Sequence, residues 1–219
     1  MVEILLKPDL AKYMKTEIAN HYSSHSARPD LSGLTRMPML QSIETEVERL
    51  RIAKYIIRHV DVDDCRIDDL WLIPRGSFTM SFSRDIGLNT SIWADAQPHS
   101  VQRPLKEFWA ERFLHEEKSV KAHHDKQKGH GISSKSFGLD GLEPIVLALR
   151  GVRYARLGQD YSQAIQAATL AVLLTEFELH LSDPGALDSA PPPGEGTAYG
   201  MVKFLDKVAV RIRKRTADE

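Results

Sequence analysis

Between Tyr161 and Leu181 the apolar side chains Ile165, Ala168, Leu170, Val172, Leu173, Leu174 and Phe177 fall on most sides of a helix rather than along one stripe. A helix that is apolar nearly all round belongs inside a core or inside a bilayer. The bilayer reading fails, because the longest apolar candidate, Ala164 to Phe177, is too short and is interrupted by Gln166, Thr169 and Glu176. The chain must therefore enclose this helix with its other elements or borrow a surface to do so. With 219 residues it has material for one good-sized core or two small ones.

The remaining segments mix helix and strand. Residues 2–21 read as a helix through Ile4, Leu5, Leu10, Tyr13, Met14 and Ile18. Ser23 to Arg36, with Pro29 and Gly33, reads as a loop holding at most a short helix. Helical spacing returns at Met39, Leu40, Ile43, Val47 and Leu50, after Pro38 at a plausible first-turn position. Strands are expected at Tyr55–Val60, Asp69–Ile73 and Phe78–Phe82, with a turn at Pro74-Arg-Gly76. The charged stretch 115–136 reads as a surface loop, and 182–200, rich in Pro, Gly and Ala, as a loop before a last strand from Val208 to Lys214. There is no regular βαβ rhythm, so the class is α+β in a single domain, 1–219.

Charge excludes some functions. Twenty-nine Lys and Arg stand against 30 Asp and Glu, which argues against a nucleic-acid binder. The opening residues, with Glu3 and Pro8, lack the basic lead of a signal peptide, and no membrane anchor is legible. A cytoplasmic protein is expected. One cysteine, Cys65, excludes an internal disulfide or a cysteine zinc cluster. His123, His124 and His130 sit in the charged loop without a second set of ligands, so no metal is expected.

Two charge pairs carry more information. Glu46 and Arg49 are three apart on one helix face. Phe108-Trp-Ala-Glu-Arg-Phe113 brings a second carboxylate and guanidinium between aromatic residues. Together they resemble the Glu-x-x-Arg of helix K and the later Phe-x-Pro-Glu-Arg-Phe segment of cytochromes P-450, with Ala110 in place of the usual proline. In register with them, Pro38–Ser42 resembles the entry to helix K and Trp71-Leu-Ile-Pro-Arg-Gly76 a turn of that family. Gly151-Val-Arg-Tyr154 resembles the approach to the haem loop, and the helix through Leu173–Phe177 resembles helix L. Tyr199-Gly and the basic strand from Val208 resemble the tail of the fungal, sterol-hydroxylase-like branch. The resemblance implies a truncated P-450-like fold with helices J, K and L and without helices A to I. It also implies a buried network of Glu46, Arg49 and Arg112.

The same resemblance exposes a departure. Where the family's haem loop has its ligating cysteine, this chain has Ala155, within Arg153-Tyr-Ala-Arg-Leu-Gly158. A methyl group cannot donate to iron, and Cys65 lies far from this loop in the family's layout. No haem and no other cofactor are expected. Residues beside the family's substrate are then the candidates for chemistry. Lys54 and Tyr55 would be the hydrogen-bond donors. Ala53, Ile56, Arg58 and Arg153 would bind substrate, the two arginines by suiting a carboxylate. The function expected is a haem-independent ring closure or isomerisation, such as a Diels–Alder cyclisation of a hydrophobic natural-product intermediate. The alternative is a non-catalytic protein that binds such a metabolite or a protein partner. The all-round apolar helix adds the expectation of a homodimer.

Overall fold

Proline placement divides the N-terminal region. A computed structural model describes residues 1–23, 28–53, 55–63, 65–67, 70–116, 135–142, 145, 159–183, 200–201 and 209–215. Two helices, α1 (Val2–Leu5) and α2 (Pro8–Ile18), replace the continuous helix expected over 2–21. The reason is Pro8. Its ring would clash with the preceding turn and it has no N–H, so it starts a helix rather than continuing one.

Helix α3 (Leu31–Arg36) is the short helix allowed within 23–36. Asp30 caps it, accepting from the Gly33 N–H at 3.0 Å, and faces His21 Nδ1 at 3.1 Å. A Cβ on Gly33 would stand 2.1 Å from that His21 nitrogen, so a larger residue there would displace the His21 ring. The Gly33 N–H, and after it His21, hold the Asp30 carboxyl below the usual carboxylate range. A depressed folded pKa means stabilisation that is complete above the unfolded pKa and lost as pH falls through the folded one. The protection factors of the α3 amides, Leu34 among them, taken relative to their intrinsic exchange rates, should therefore fall as the solution is acidified through that range. Asp30→Asn should flatten this dependence. An unchanged acid limb in the variant would contradict the capping account.

Helix α4 (Pro38–Arg51) follows after a single residue, with Pro38 at its first position. The chain then runs β1 (Ile52–Ala53), β2 (Tyr55–His59), β3 (Cys65–Ile67), β4 (Trp71–Ile73) and β5 (Phe78–Phe82). These form antiparallel pairs, β2 with β5 and β3 with β4. Strand β4 begins at Trp71 rather than at Asp69. The turn expected at Pro74-Arg-Gly76 is present. Gly76 has φ +88°, a region open chiefly to glycine, and its N–H reaches Val60 O at 2.7 Å.

Next come α5 (Ser83–Gly87), α6 (Thr90–Ala96) and a 3₁₀ turn (Pro98–Val101), none of which the hydrophobic pattern had marked. Strands β6 (Leu114–Glu116) and β7 (Lys135–Phe137) pair across the stretch expected as a loop. Residues 117–134 and 184–199 lie outside the described residues, as do most of 143–158.

Helix α7 (Gln159–Glu176) corrects the longest helix expectation at its C-terminal end. Residues Phe177–Leu181 are strand β8, paired antiparallel with β10 (Val210–Lys214). Phe177-Glu-Leu-His-Leu181 alternates with period two, and a partner strand decides in favour of that pattern. A short β9 (Gly200–Met201) pairs with β1. The expectation of burial all round α7 is corrected too. Ala167, Leu170, Ala171 and Leu174 form one buried stripe, while Tyr161 and Ile165 are exposed. Helices α2 and α3 pack on α7, and the stripe joins Met14, Ile18 and Leu34 in the main core. A second core gathers Trp93, Leu105, Phe113, Leu142 and Ile145. Among the described residues no helix is long and apolar enough to cross a membrane.

Candidate functional site

The best-built polar site is the network foreseen from the two charge pairs. Glu46 points inward from α4, with its neighbour Arg49 one turn on, and both side chains are fully buried. Arg49 donates from Nε to Glu46 Oε2 at 2.8 Å and from its second terminal nitrogen to Oε1 at 2.9 Å. Its other terminal nitrogen reaches Gly87 O at 2.8 Å, tying α4 to the end of α5. Arg112 enters from the loop before β6 and donates Nε to Glu46 Oε1 at 3.0 Å. The backbone N–H of Trp109 bonds the same oxygen at 3.1 Å.

Arg112 also explains the shape of residues 100–107. Its terminal nitrogens donate to the carbonyls of Ser100, Arg103, Pro104 and Glu107. With the Nε bond, all five guanidinium donors are occupied. Burial pushes the Arg112 guanidinium down from its usual value, and the Glu46 carboxylate opposes that shift. Two arginines share one carboxylate, so the buried group carries a net positive charge. The carbonyl oxygens and the faces of Trp93 and Trp109 absorb it, at 5.3 Å from Arg49 and 5.4 Å from Arg112. Every charged atom is engaged in holding α4, α5 and the 98–113 segment together. The site is architectural.

The expected substrate side begins where α4 ends. Ala53 closes β1, Tyr55 and Ile56 open β2, and Lys54 lies outside the described residues, as do Arg153 and Ala155. Positions 55 and 58 are an odd number of residues apart, so strand alternation assigns them to opposite faces of the β2–β5 hairpin. Register pairs Tyr55 with Phe82, and Arg58 with Thr79.

Arg58 lines an open cleft of about 440 Å³ between the two hairpins. Thr79 and Ser81 flank it from β5, while Cys65, Ile67 and Ile73 supply the opposite wall from β3 and β4. Arg58 is exposed, with a long 3.4 Å contact to Ile57 O. The cleft thus offers a guanidinium and two hydroxyls over an apolar wall, a combination suited to a small amphiphile with an anionic end. Thr79 and Ser81 were not foreseen. The alternation of Phe78, Met80 and Phe82 with them was the available signal, since it puts both hydroxyls on one face.

Comparison with known proteins agrees with the motifs. No family model matches the chain. It is 30% identical to a cytochrome P-450 monooxygenase of Humicola fuscoatra over 230 aligned positions, covering 98% of this chain and 38% of that protein. It is 26% identical to one from Hormonema carpetanum over 191 positions, covering 85% of this chain and 33% of that protein. An 11-hydroxysugiol 20-monooxygenase of Salvia miltiorrhiza is 27% identical over 57% of the chain. The chain spans about a third of the length of the curated relatives it matches most fully.

Proposed function

We propose that this chain is a piece of a cytochrome P-450-type protein that works without a thiolate-bound haem, binding a hydrophobic metabolite and closing or isomerising a ring in it. Similarity to P-450 monooxygenases over nearly the whole chain supports the origin. The alanine at position 155, where that family places its iron ligand, supports the loss of monooxygenase chemistry.

The observation that carries the binding role is the cleft beside Arg58, Thr79 and Ser81. A non-redox rearrangement asks little of such a surface. It needs the substrate held in a near-attack shape, and a donor on any carbonyl that gains charge in the transition state. Arg58 would anchor an acidic end, and the Thr79 or Ser81 hydroxyl beside it would polarise the carbonyl, since Tyr55 lies on the opposite face of the hairpin.

The test is to incubate the purified chain with metabolites of its source organism and look for products of unchanged mass. Binding without such products would favour a non-catalytic carrier. If turnover is found, Arg58→Met should raise KM for an acidic substrate more than for its methyl ester. Thr79→Val and Ser81→Ala should lower kcat with the fold intact. Wild-type behaviour in all three variants would place the reaction elsewhere.

A further inference from the structure

The cleft between the hairpins is lined by two opposite charges, Arg58 and Asp61, three residues apart and both exposed. Between them Val60 is buried and held on both sides. Its N–H donates to Ser77 O at 2.9 Å, and its carbonyl accepts from the Gly76 N–H at 2.7 Å. The backbone that carries the two charges is thus fixed to the turn at Gly76. Among the described residues neither Arg58 nor Asp61 is ion-paired. Asp63, by contrast, faces Arg75 at 3.4 Å. Asp61 is therefore the carboxylate left to meet a ligand in this cleft.

A purely anionic ligand on Arg58 would bring its own carboxylate towards Asp61, and like charges repel. A cationic group on the same ligand turns that repulsion into a second contact. Chain geometry sets how far apart the ligand's charges lie. At ~3.3 Å per residue the Cα atoms of Arg58 and Asp61 are at most about 10 Å apart. The arginine stem and the aspartate side chain span most of that distance, so they suit charged groups a few bonds apart. Ammonium and carboxylate in an amino acid have that separation. Cys65, Ile67 and Ile73 across the cleft supply an apolar wall for the rest of such a molecule.

Resting on the binding reading above, we propose that the cleft takes a zwitterionic amphiphile, an amino-acid-type ligand. Its carboxylate meets Arg58, its ammonium meets Asp61 and its apolar body lies on the wall from β3 and β4. Asp61 is the specificity-determining residue, because it separates such ligands from simple acids.

Cys65 lines the cleft and is the chain's only cysteine, so its alkylation by iodoacetamide reports occupancy directly. Chemical shifts of the Thr79 and Ser81 amides give a second readout that does not depend on thiol reactivity. Three probes share one apolar body: L-tryptophan with both charges, indole-3-propionate with the negative one and tryptamine with the positive one. Tryptophan should act at about a fivefold lower concentration than either of the others, the scale of one added exposed ion pair. Asp61→Asn should erase its advantage over indole-3-propionate, and Arg58→Met its advantage over tryptamine. Indole-3-propionate acting as well as tryptophan on the unaltered chain overturns the zwitterion and leaves the anion-binding cleft standing. Tryptamine acting best of the three overturns both. No response to any probe in either readout overturns the binding cleft and this proposal with it.

Discussion

Glu46→Ala should abolish cooperative folding. The substitution deletes the acceptor of four hydrogen bonds, from Arg49 twice, from Arg112 and from the Trp109 N–H. It leaves two fully buried guanidiniums with no counter-ion. Breaking a buried pair by removing one partner costs about 3–5 kcal/mol, and here one carboxylate serves two partners. That is a large share of the roughly 5–15 kcal/mol that holds a typical domain together. Near-ultraviolet circular dichroism and urea denaturation should report a molten or insoluble protein. Arg49→Ala should be nearly as damaging, since it strands Gly87 O as well as part of the carboxylate. Arg49→Lys should restore charge without the two-point grip on Glu46, and so should recover only part of the stability. A Glu46→Ala protein with an unchanged midpoint would show that water reaches the network.

The network was legible in the sequence because its parts are local signals: a helical i,i+3 pair, and a guanidinium set between aromatic residues. The turn at Gly76 was legible for a similar reason, since a positive φ after Pro74 leaves few alternatives to glycine. What was misread depends on partners distant in the chain. Residues 177–181 alternate apolar and polar, but they follow a helix without a break, and only pairing with Val210–Lys214 makes them a strand. The burial of α7 was overestimated because composition counts apolar side chains without saying which face meets a neighbour. The structure covers Ala167, Leu170, Ala171 and Leu174 and leaves Tyr161 and Ile165 in water. The cleft was half legible. Arg58 was singled out, but its companions Thr79 and Ser81 come from a strand that reaches β2 only through the antiparallel register.

The second large effect concerns haem. Under the proposed P-450-type reading, Ala155 stands where a ligating sulfur would be needed, and the chain's single sulfhydryl, Cys65, belongs to β3 beside the cleft. No alanine side chain can supply the proximal bond. Visible absorption tests most directly the proposal that the chain works without a thiolate-bound haem. The purified protein is mixed with haemin, freed of excess, reduced and exposed to carbon monoxide. The expected result is a colourless protein with no Soret band and no carbon monoxide difference spectrum. A stoichiometric haem, reducible and shifted by carbon monoxide as a thiolate complex is, would contradict it.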